Sequence, residues 1–381
     1  MQSKLPQPRQ PKLADIPVFA DGSRSICSTS GGLDGVRTVW KTGLRSVEVV
    51  EREVPEPAPG EVLIRVVASA LCGSELPGYR AGHVGRNDGH EAAGEIVALG
   101  AGCHRLKVGD RVGVSAVQGC GACPECLAGR FTYCPRLTVY AGMHAEFIVS
   151  RELACHRLPD DVPWDEGVLL SGDGLGVPFH VARRLGDRTG KGALVCVFGV
   201  GPVGLGNVLV ESYLGADVVA VDISSPRLDL ARQLGAVRTV QPPLTDTNQE
   251  QVRAEGRHIA DLVLDVCGRA PDVCLDCAGR GETVLAALSS VKTAGTVVCV
   301  GEQGPVPISP SEDLIHRDIT LMGSWFYHFS EFGDMLALYR NGLPVSRLIT
   351  HHWPLAEASE AFRAFAAGET GKVLLRPSPL P

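Results

Sequence analysis

Four closely spaced cysteines constrain this chain more than any other feature. Cys120, Cys123, Cys126 and Cys134 follow a Cys-x2-Cys-x2-Cys-x7-Cys pattern. Thiolates at this spacing can surround one tetrahedral metal ion and fold a short lobe around it, so the pattern predicts a structural zinc site. The same ligands also hold iron–sulfur clusters, and plain buried thiols are a third interpretation. The rest of the chain favours zinc.

Length and composition predict a two-domain protein with small-molecule partners. The chain has 381 residues, which is more than one hydrophobic core usually serves. Its net charge of -7, with 21% charged residues, gives no electrostatic reason to expect a nucleic acid or membrane partner. Cysteines scattered through apolar runs, such as Cys196, are typical of a reducing cytosol, so a cytoplasmic location is expected. Residues 1–34 lack the apolar core of a secretory signal and are interpreted as an N-terminal extension without assigned chemistry.

The pattern of predicted secondary structure changes near Ala193. Residues 38–112 contain short strand-like runs separated by proline and glycine, which is typical of a β or barrel-like unit. From Ala193 onward, apolar strands alternate with helical stretches, and this order predicts a parallel α/β unit.

A glycine motif stands between the first strand and the first helix of the α/β unit. Its sequence is Gly199-Val200-Gly201-Pro202-Val203-Gly204. Glycines at these positions allow a tight turn and let the backbone approach a pyrophosphate at the helix N-terminus. The motif therefore predicts a dinucleotide site formed by Gly199, Gly201, Pro202, Val203 and Gly204.

Two charged residues after the second strand indicate which dinucleotide binds. Asp222 lies 23 positions after Gly199, where a carboxylate can accept hydrogen bonds from both adenosine ribose hydroxyl groups. A 2'-phosphate there would meet like charge, so NAD is favoured over NADP. Arg227 could hold such a phosphate, but beside Asp222 it is more simply interpreted as a ribose contact.

Two further fragments carry zinc-ligand residue types. Cys72 lies in Cys72-Gly73-Ser74-Glu75 just past a strand, and His90 in Gly89-His90-Glu91 follows it by 18 residues. Either fragment alone has an ordinary structural interpretation, as a core thiol or as a solvated turn. Their occurrence together with the four-cysteine lobe and the glycine motif favours a metal site.

The order of these motifs resembles the zinc-containing medium-chain alcohol and polyol dehydrogenases. The resemblance rests on Cys-Gly-Ser, Gly-His-Glu, Gly-Asp-Arg-Val, the four cysteines and the glycine motif, and it extends from about Val36 to Arg376. It implies that Cys72 and His90 hold a catalytic zinc together with a third protein ligand. Asp173 stands where many relatives have cysteine, and Glu91 is the alternative third ligand. A carboxylate would weaken zinc retention relative to a second thiolate.

The resemblance also implies a proton relay. Ser74 occupies the position of the hydroxyl that accepts the substrate proton, whereas Pro77 stands where many relatives carry a relay histidine. Proline cannot titrate, so the outward path must differ, with His83, Tyr79 or water as candidates. Glu75 is expected to orient His90, and His144 is expected to face the domain surface.

The resemblance and the two patterns of secondary structure together predict the architecture. The fold class is α/β, with a GroES-like, partly closed β-barrel catalytic domain at residues 35–178 and 330–381. A Rossmann-type, doubly wound parallel sheet at residues 179–329 is inserted into it and binds NAD. A homodimer or homotetramer is expected.

The predicted function is a zinc-dependent exchange of hydride between NAD(H) and a secondary alcohol or ketone. A polyol, cyclitol or amino-sugar-like substrate is favoured, with one catalytic and one structural zinc. The alternatives are a biosynthetic reductase of an activated aldehyde or a carbon–carbon double bond, a non-catalytic NAD-binding protein, and a metal-binding interaction module.

Overall fold

The computed structural model describes residues 35–243 and 251–377, together with the strand Val18–Phe19; the rest of the expected extension at residues 1–34 lies outside the described residues. The strands, in chain order, are β1 (Val18–Phe19), β2 (Val36–Gly43), β3 (Ser46–Arg52), β4 (Glu61–Ala70), β5 (Ala92–Leu99), β6 (Arg111–Val114), β7 (Val117–Gln118), β8 (Thr138–Tyr140), β9 (Phe147–Arg151), β10 (Cys155–Arg157), β11 (Leu194–Phe198), β12 (Asp217–Val221), β13 (Ala236–Val240), β14 (Val273–Asp276), β15 (Thr296–Cys299), β16 (Thr320–Gly323), β17 (Ile349–Pro354) and β18 (Lys372–Arg376). The helices are α1 (Leu76–Ala81), α2 (Pro124–Leu127), α3 (Trp164–Ser171), α4 (Asp173–Leu185), α5 (Pro202–Tyr213), α6 (Ser225–Gln233), α7 (Val252–Cys267), α8 (Gly281–Ser290), α9 (Phe332–Arg340) and α10 (Ala358–Ala366).

The second half of the chain forms a parallel sheet with helices on both faces. Its strand order is β13-β12-β11-β14-β15-β16, and neighbouring strands run parallel. Val195 and Val197 of β11 join a core with α5 and α6, whereas Cys196 and Phe198 join another with α7 and α8. This alternation follows from the two-residue period of a strand. The predicted doubly wound sheet is confirmed, and the order reverses between β11 and β14, which opens a crevice at their carboxyl ends.

The first half forms a mainly antiparallel sheet that the end of the chain completes. The order is β10-β6-β5-β4-β18-β17, and β9 also pairs with β4. Leu374 of β18 pairs with Ala70 of β4, so the chain returns to this sheet after the parallel one. Side chains such as Ile64, Ile96 and Val114 fill its interior. The expected GroES-like unit is confirmed, while the domain boundaries stay a prediction, and the one at residue 178 falls inside α4.

Helix α4 joins the two units by close packing against α5. A Cβ added to Gly206 of α5 would lie 2.6 Å from the Gly174 carbonyl oxygen and 2.6 Å from Pro178 Cγ. Only glycine fits there, and the contact places Asp173, the first residue of α4, beside the helix that follows the glycine motif. Within the described parts of the chain, no helix has both the length and the apolar character needed to cross a membrane.

Candidate active site

Three predicted metal ligands meet at one edge of the antiparallel sheet. Cys72 follows the end of β4 and His90 precedes β5, and these strands pair so that Ser69 faces Ala92. The chain segments that carry the two ligands therefore leave the sheet side by side. Asp173 Oδ2 lies 3.1 Å from His90 Nε2 and 3.6 Å from Cys72 Sγ. At most 8% of each of the three residues is exposed.

The geometry and charge of this cluster fit a bound divalent metal. Tetrahedral zinc bonds of about 2.0–2.3 Å place neighbouring ligand atoms roughly 3.3–3.8 Å apart, close to the observed separations. Burial disfavours the charged form of His90, but hydrogen bonds to Asp173 and Cys72 outweigh it and raise the pKa of His90 well above its ordinary value. A buried thiol and carboxylate around one imidazole thus call for a cation at their centre, which zinc would supply.

Glu91, the alternative ligand, also lies in this cluster but has other partners. One ligand atom from each of Cys72, His90, Glu91 and Asp173 lies within 4.8 Å of the others. Glu91 Oε1 accepts a hydrogen bond from Lys372 Nζ in a fully buried ion pair. Its Oε2 accepts the backbone N–H of Gly174 at 3.2 Å. Both carboxylate oxygens of Glu91 are therefore engaged, whereas Asp173 Oδ2 faces the thiol and the imidazole.

The surroundings of His90 differ from the expectation. His90 Nδ1 lies 2.9 Å from the carbonyl oxygen of Asp88, so this carbonyl and not Glu75 orients the ring. Glu75 Oε1 accepts the Cys72 N–H at 2.9 Å, and Glu75 Oε2 lies 3.0 Å from His144 Nε2. Burial raises the pKa of Glu75, but the charge and hydrogen bond of His144 lower it to about 2.

The expectation that His144 faces the surface is wrong. His144 has no exposed surface, and its Nδ1 lies 2.9 Å from Ser69 Oγ. The ring bridges strand β4 and the turn that begins at Cys72, so it supports the cluster of candidate metal ligands from within the protein.

The four predicted structural ligands also converge. The four sulfur atoms all lie within 4.8 Å of one another; they belong to Cys120, Cys123, Cys126 and Cys134. The sulfur atoms of Cys123 and Cys126 are 3.4 Å apart, and those of Cys126 and Cys120 are 3.9 Å apart. Hydrogen bonds from backbone amides, led by that of Ala122, lower the pKa of Cys120 to about 6. Burial raises the pKa of Cys126 to about 12 and also raises that of Cys134, so the spacing of the four sulfur atoms is what fits a closed four-cysteine zinc site.

Each glycine of the dinucleotide motif has its own physical role. Gly199 has φ +81°, and a Cβ there would lie 2.7 Å from Ala278. A Cβ on Gly204 would lie 1.9 Å from the Gly199 carbonyl oxygen. A Cβ on Gly201 would meet only Arg227 Nη1, at 3.9 Å, so the space in front of it is open. Gly199 and Gly204 thus let the turn close, and Gly201 leaves room for a phosphate.

Pro202 and Val203 open helix α5, and proline at the first helical position is favourable because its missing N–H has no partner there. Asp222 anchors the turn that precedes this helix. Asp222 Oδ2 accepts the Val200 N–H at 2.8 Å, and Oδ1 accepts the Ser224 N–H at 2.8 Å. The carboxylate therefore ties the glycine motif to the loop after β12.

Both sites open into one cleft of about 550 Å³. Cys72, Ser74 and Asp173 line one end of it, and Gly199, Gly201 and Asp222 line the other. A dinucleotide in the motif could therefore extend toward the metal ligands within a single cavity.

The residues considered for the proton relay differ in whether they line this cleft. Ser74 and Pro77 line it. Tyr79 instead packs on Phe362 with ring centroids 5.4 Å apart, and neither Tyr79 nor His83 is among the described residues that line the cleft. The structure therefore does not support a direct role for Tyr79 or His83 in the proton relay.

Three site residues were missed by the sequence reasoning. Lys372 was hidden because it pairs with a residue 281 positions away. Arg80 lines the cleft and donates a hydrogen bond to the Ala366 carbonyl oxygen at the end of α10. Arg227 donates to the neighbouring Phe365 carbonyl oxygen. Phe326 also lines the cleft, beside Trp325.

Comparison with known proteins agrees with this geometry. Residues 58–160 match the model of the alcohol dehydrogenase GroES-like domain, and residues 202–341 match that of the zinc-binding dehydrogenases. An uncharacterized zinc-type alcohol dehydrogenase-like protein of Escherichia coli K12, YphC, is 31% identical over 359 residues, covering 87% of this chain and 96% of its own. Sorbitol dehydrogenase of Gallus gallus is 31% identical over 341 residues, covering 86% of this chain and 92% of its own. Among solved structures, the 2R,3R-butanediol dehydrogenase of Bacillus subtilis superposes with a TM-score of 0.73 at 26% identity, covering 90% of this chain and 100% of that one.

Proposed function

Because the chain belongs to the zinc-type medium-chain alcohol dehydrogenases, which act on CH–OH groups, we propose that it oxidises a secondary alcohol to a ketone with NAD and a catalytic zinc. One observation carries this proposal. Cys72, Asp173 and Ser74 line the same cleft as the glycine motif, so a reacting carbon and a nicotinamide could meet there. Hydride transfer needs this shared cavity, since the two carbons must come within contact distance.

Cys72, His90 and Asp173 would hold the catalytic zinc. A thiolate and a carboxylate balance the two charges of the ion, and the neutral imidazole completes three protein ligands. Glu91 is less suited because Lys372 already balances its charge and Gly174 occupies its other oxygen. When bound, zinc would act as a Lewis acid on the substrate oxygen.

Cys120, Cys123, Cys126 and Cys134 would hold the structural zinc. Their lobe packs through Phe131 against Phe329, with ring centroids 4.9 Å apart. A metal there would hold this lobe in place against the segment that enters α9.

The protein groups around the cleft would orient the substrate and receive its proton. Ser74 is exposed to the cleft, two residues after Cys72, and its hydroxyl would accept the alcohol proton. Pro77 cannot pass that proton on, and His83 and Tyr79 lie off the cleft. Solvent in the cleft is then the remaining outward path.

The nucleotide end favours NAD. The open space at Gly201 lies at the N-terminus of α5, where unpaired N–H groups attract a pyrophosphate. Each oxygen of Asp222 accepts one backbone N–H and keeps capacity for a ribose hydroxyl. The same carboxylate would repel the 2'-phosphate of NADP.

The test is NADH formation by the zinc-loaded protein with a panel of secondary alcohols and polyols, comparing wild type, Ser74→Ala and Ser74→Thr. We expect Ser74→Ala to lower kcat by about 10²-fold or more, because a positioned proton acceptor contributes about that much. Ser74→Thr keeps the hydroxyl and should retain most of the activity. Unchanged kcat in Ser74→Ala would contradict the relay, and no turnover of any alcohol or ketone in either direction would contradict the proposed reaction.

A further inference from the structure

Phe326 adopts a backbone conformation that bulky residues rarely take. Its φ is +49°, within the left-handed region that glycine and asparagine favour. Such a conformation persists only where the surrounding contacts enforce it, and it tends to occur at functional sites. Phe326 lines the cleft and lies in the segment that joins β16 to α9.

The contacts around Phe326 direct its ring toward the metal ligands. Its centroid lies 6.4 Å from that of His90 in an edge-to-face arrangement, and 4.8 Å from that of Trp325. Phe326 and Trp325 both pack against the four-cysteine lobe. The lobe and the metal site thus hold the ring between them.

Trp325 presents an apolar face to the cleft because its polar atom is already used. Trp325 Nε1 donates to Glu302 Oε1 at 3.0 Å. The indole has no other donor, so a substrate beside Trp325 meets carbon atoms of the ring. One oxygen of Glu302 is left for a ligand.

The other side chains beside the metal ligands are also apolar. Leu76 and Pro77 follow Cys72 in the chain, and Val177 lies one helical turn after Asp173 on α4. All three line the cleft. The polar groups at this end include the Ser74 hydroxyl, the Asp173 carboxylate and the free oxygen of Glu302, whereas a hexitol carries a hydroxyl group on every carbon. A buried hydroxyl without a partner is unfavourable.

We propose that Phe326 determines substrate specificity and selects secondary alcohols whose larger carbon substituent is an aryl group or an alkyl chain longer than methyl. This inference rests on the proposed function and narrows its substrate class. The carbinol group would lie at Cys72, His90 and Asp173, and its apolar arm would contact Phe326 and Trp325. A polyol with a hydroxyl on each carbon would leave several of these groups unpaired against the aromatic rings.

The test compares kcat and KM for 1-phenylethanol, sorbitol and 2-propanol in wild type, Phe326→Gln and Phe326→Leu. We expect wild type to favour 1-phenylethanol over sorbitol by about 100-fold in kcat/KM, since single apolar contacts and unpaired hydroxyls each contribute roughly tenfold or more. Phe326→Gln should raise the KM for 1-phenylethanol about tenfold. The small alcohol 2-propanol has no arm that reaches Phe326, so its KM should change by less than about twofold.

The conservative variant separates packing from specificity. Phe326→Leu keeps an apolar side chain and should recover most of the affinity for 1-phenylethanol. Equal rises in KM for 1-phenylethanol and 2-propanol would indicate a general structural role and overturn the inference. Sorbitol preferred by wild type would also overturn it while leaving the dehydrogenase proposal intact. If none of the three alcohols were turned over, the result would contradict both the specificity inference and the proposed dehydrogenase reaction. NADH binding, measured by fluorescence, would then test the cofactor site separately.

Discussion

The buried pair between Lys372 and Glu91 predicts a large loss of stability when only one partner is removed. Both side chains are at most 1% exposed, so Lys372→Met leaves the Glu91 carboxylate without its cation in a site that also holds Asp173 and Cys72. Breaking a buried ion pair from one side costs about 3–5 kcal/mol in the free energy of unfolding. With a denaturant dependence of about 3 kcal/mol per M in urea, the unfolding midpoint should fall by about 1 M or more.

The assay is urea unfolding followed by circular dichroism at a fixed zinc concentration, because bound metal changes the apparent stability. The double variant Glu91→Gln/Lys372→Met removes both charges and should recover about 2 kcal/mol or more relative to Lys372→Met. Lys292→Met is the matched control. Lys292 pairs with Asp272 but is 48% exposed, so its loss should cost less than about 1 kcal/mol.

Two results would refute this reasoning. The first is a Lys372→Met midpoint equal to that of Lys292→Met. The second is a double variant whose loss is the sum of the two single losses, since the two charges would then not interact.

Three further predictions concern the structural lobe, a buried acid and the cofactor site. Cys126→Ser should remove one zinc per chain and lower the melting temperature, measured by metal analysis and calorimetry; unchanged zinc content would contradict a four-cysteine site. Burial raises the pKa of Glu211 from 4.5 to about 7. The folded state then binds more protons than the unfolded state between these values, so stability should fall by about 3 kcal/mol as pH rises from 4.5 through 7, and Glu211→Gln should abolish this slope in urea titrations. Asp222→Asn should weaken NADH binding about tenfold, measured by fluorescence titration. It should also reduce the preference for NADH over NADPH, because a neutral amide no longer repels a 2'-phosphate. An unchanged ratio of the two dissociation constants would show that Asp222 does not select the cofactor.

The parts of the site that short sequence spacings encode could be predicted. The four cysteines lie within 15 consecutive residues, and the glycine motif occupies six, so local spacing nearly determines their geometry. Cys72 and His90 were predicted because their fragments occur together with the four cysteines and the glycine motif, in an order that resembles the zinc-containing dehydrogenases. The alternation of strands and helices after residue 193 likewise predicted the parallel sheet, since each strand needs a helix to return to the same edge.

The parts that depend on distant pairing could not. Lys372 reaches Glu91 only because β18 pairs with β4, and no local pattern announces that contact. His144 was misplaced because a histidine in a glycine-rich segment is ordinarily exposed, whereas here it bridges Ser69 and Glu75. Phe326 packs against the four-cysteine lobe, which is distant in the sequence, and no local pattern around Phe326 indicates its left-handed backbone conformation.

The zinc content of wild type, Asp173→Ala and Glu91→Gln, measured beside NADH formation, tests the central claim most directly. The account predicts two zinc ions per chain in wild type and in Glu91→Gln, and one in Asp173→Ala with loss of activity. One zinc in wild type, or two zinc ions with activity intact in Asp173→Ala, would contradict a catalytic metal held by Cys72, His90 and Asp173.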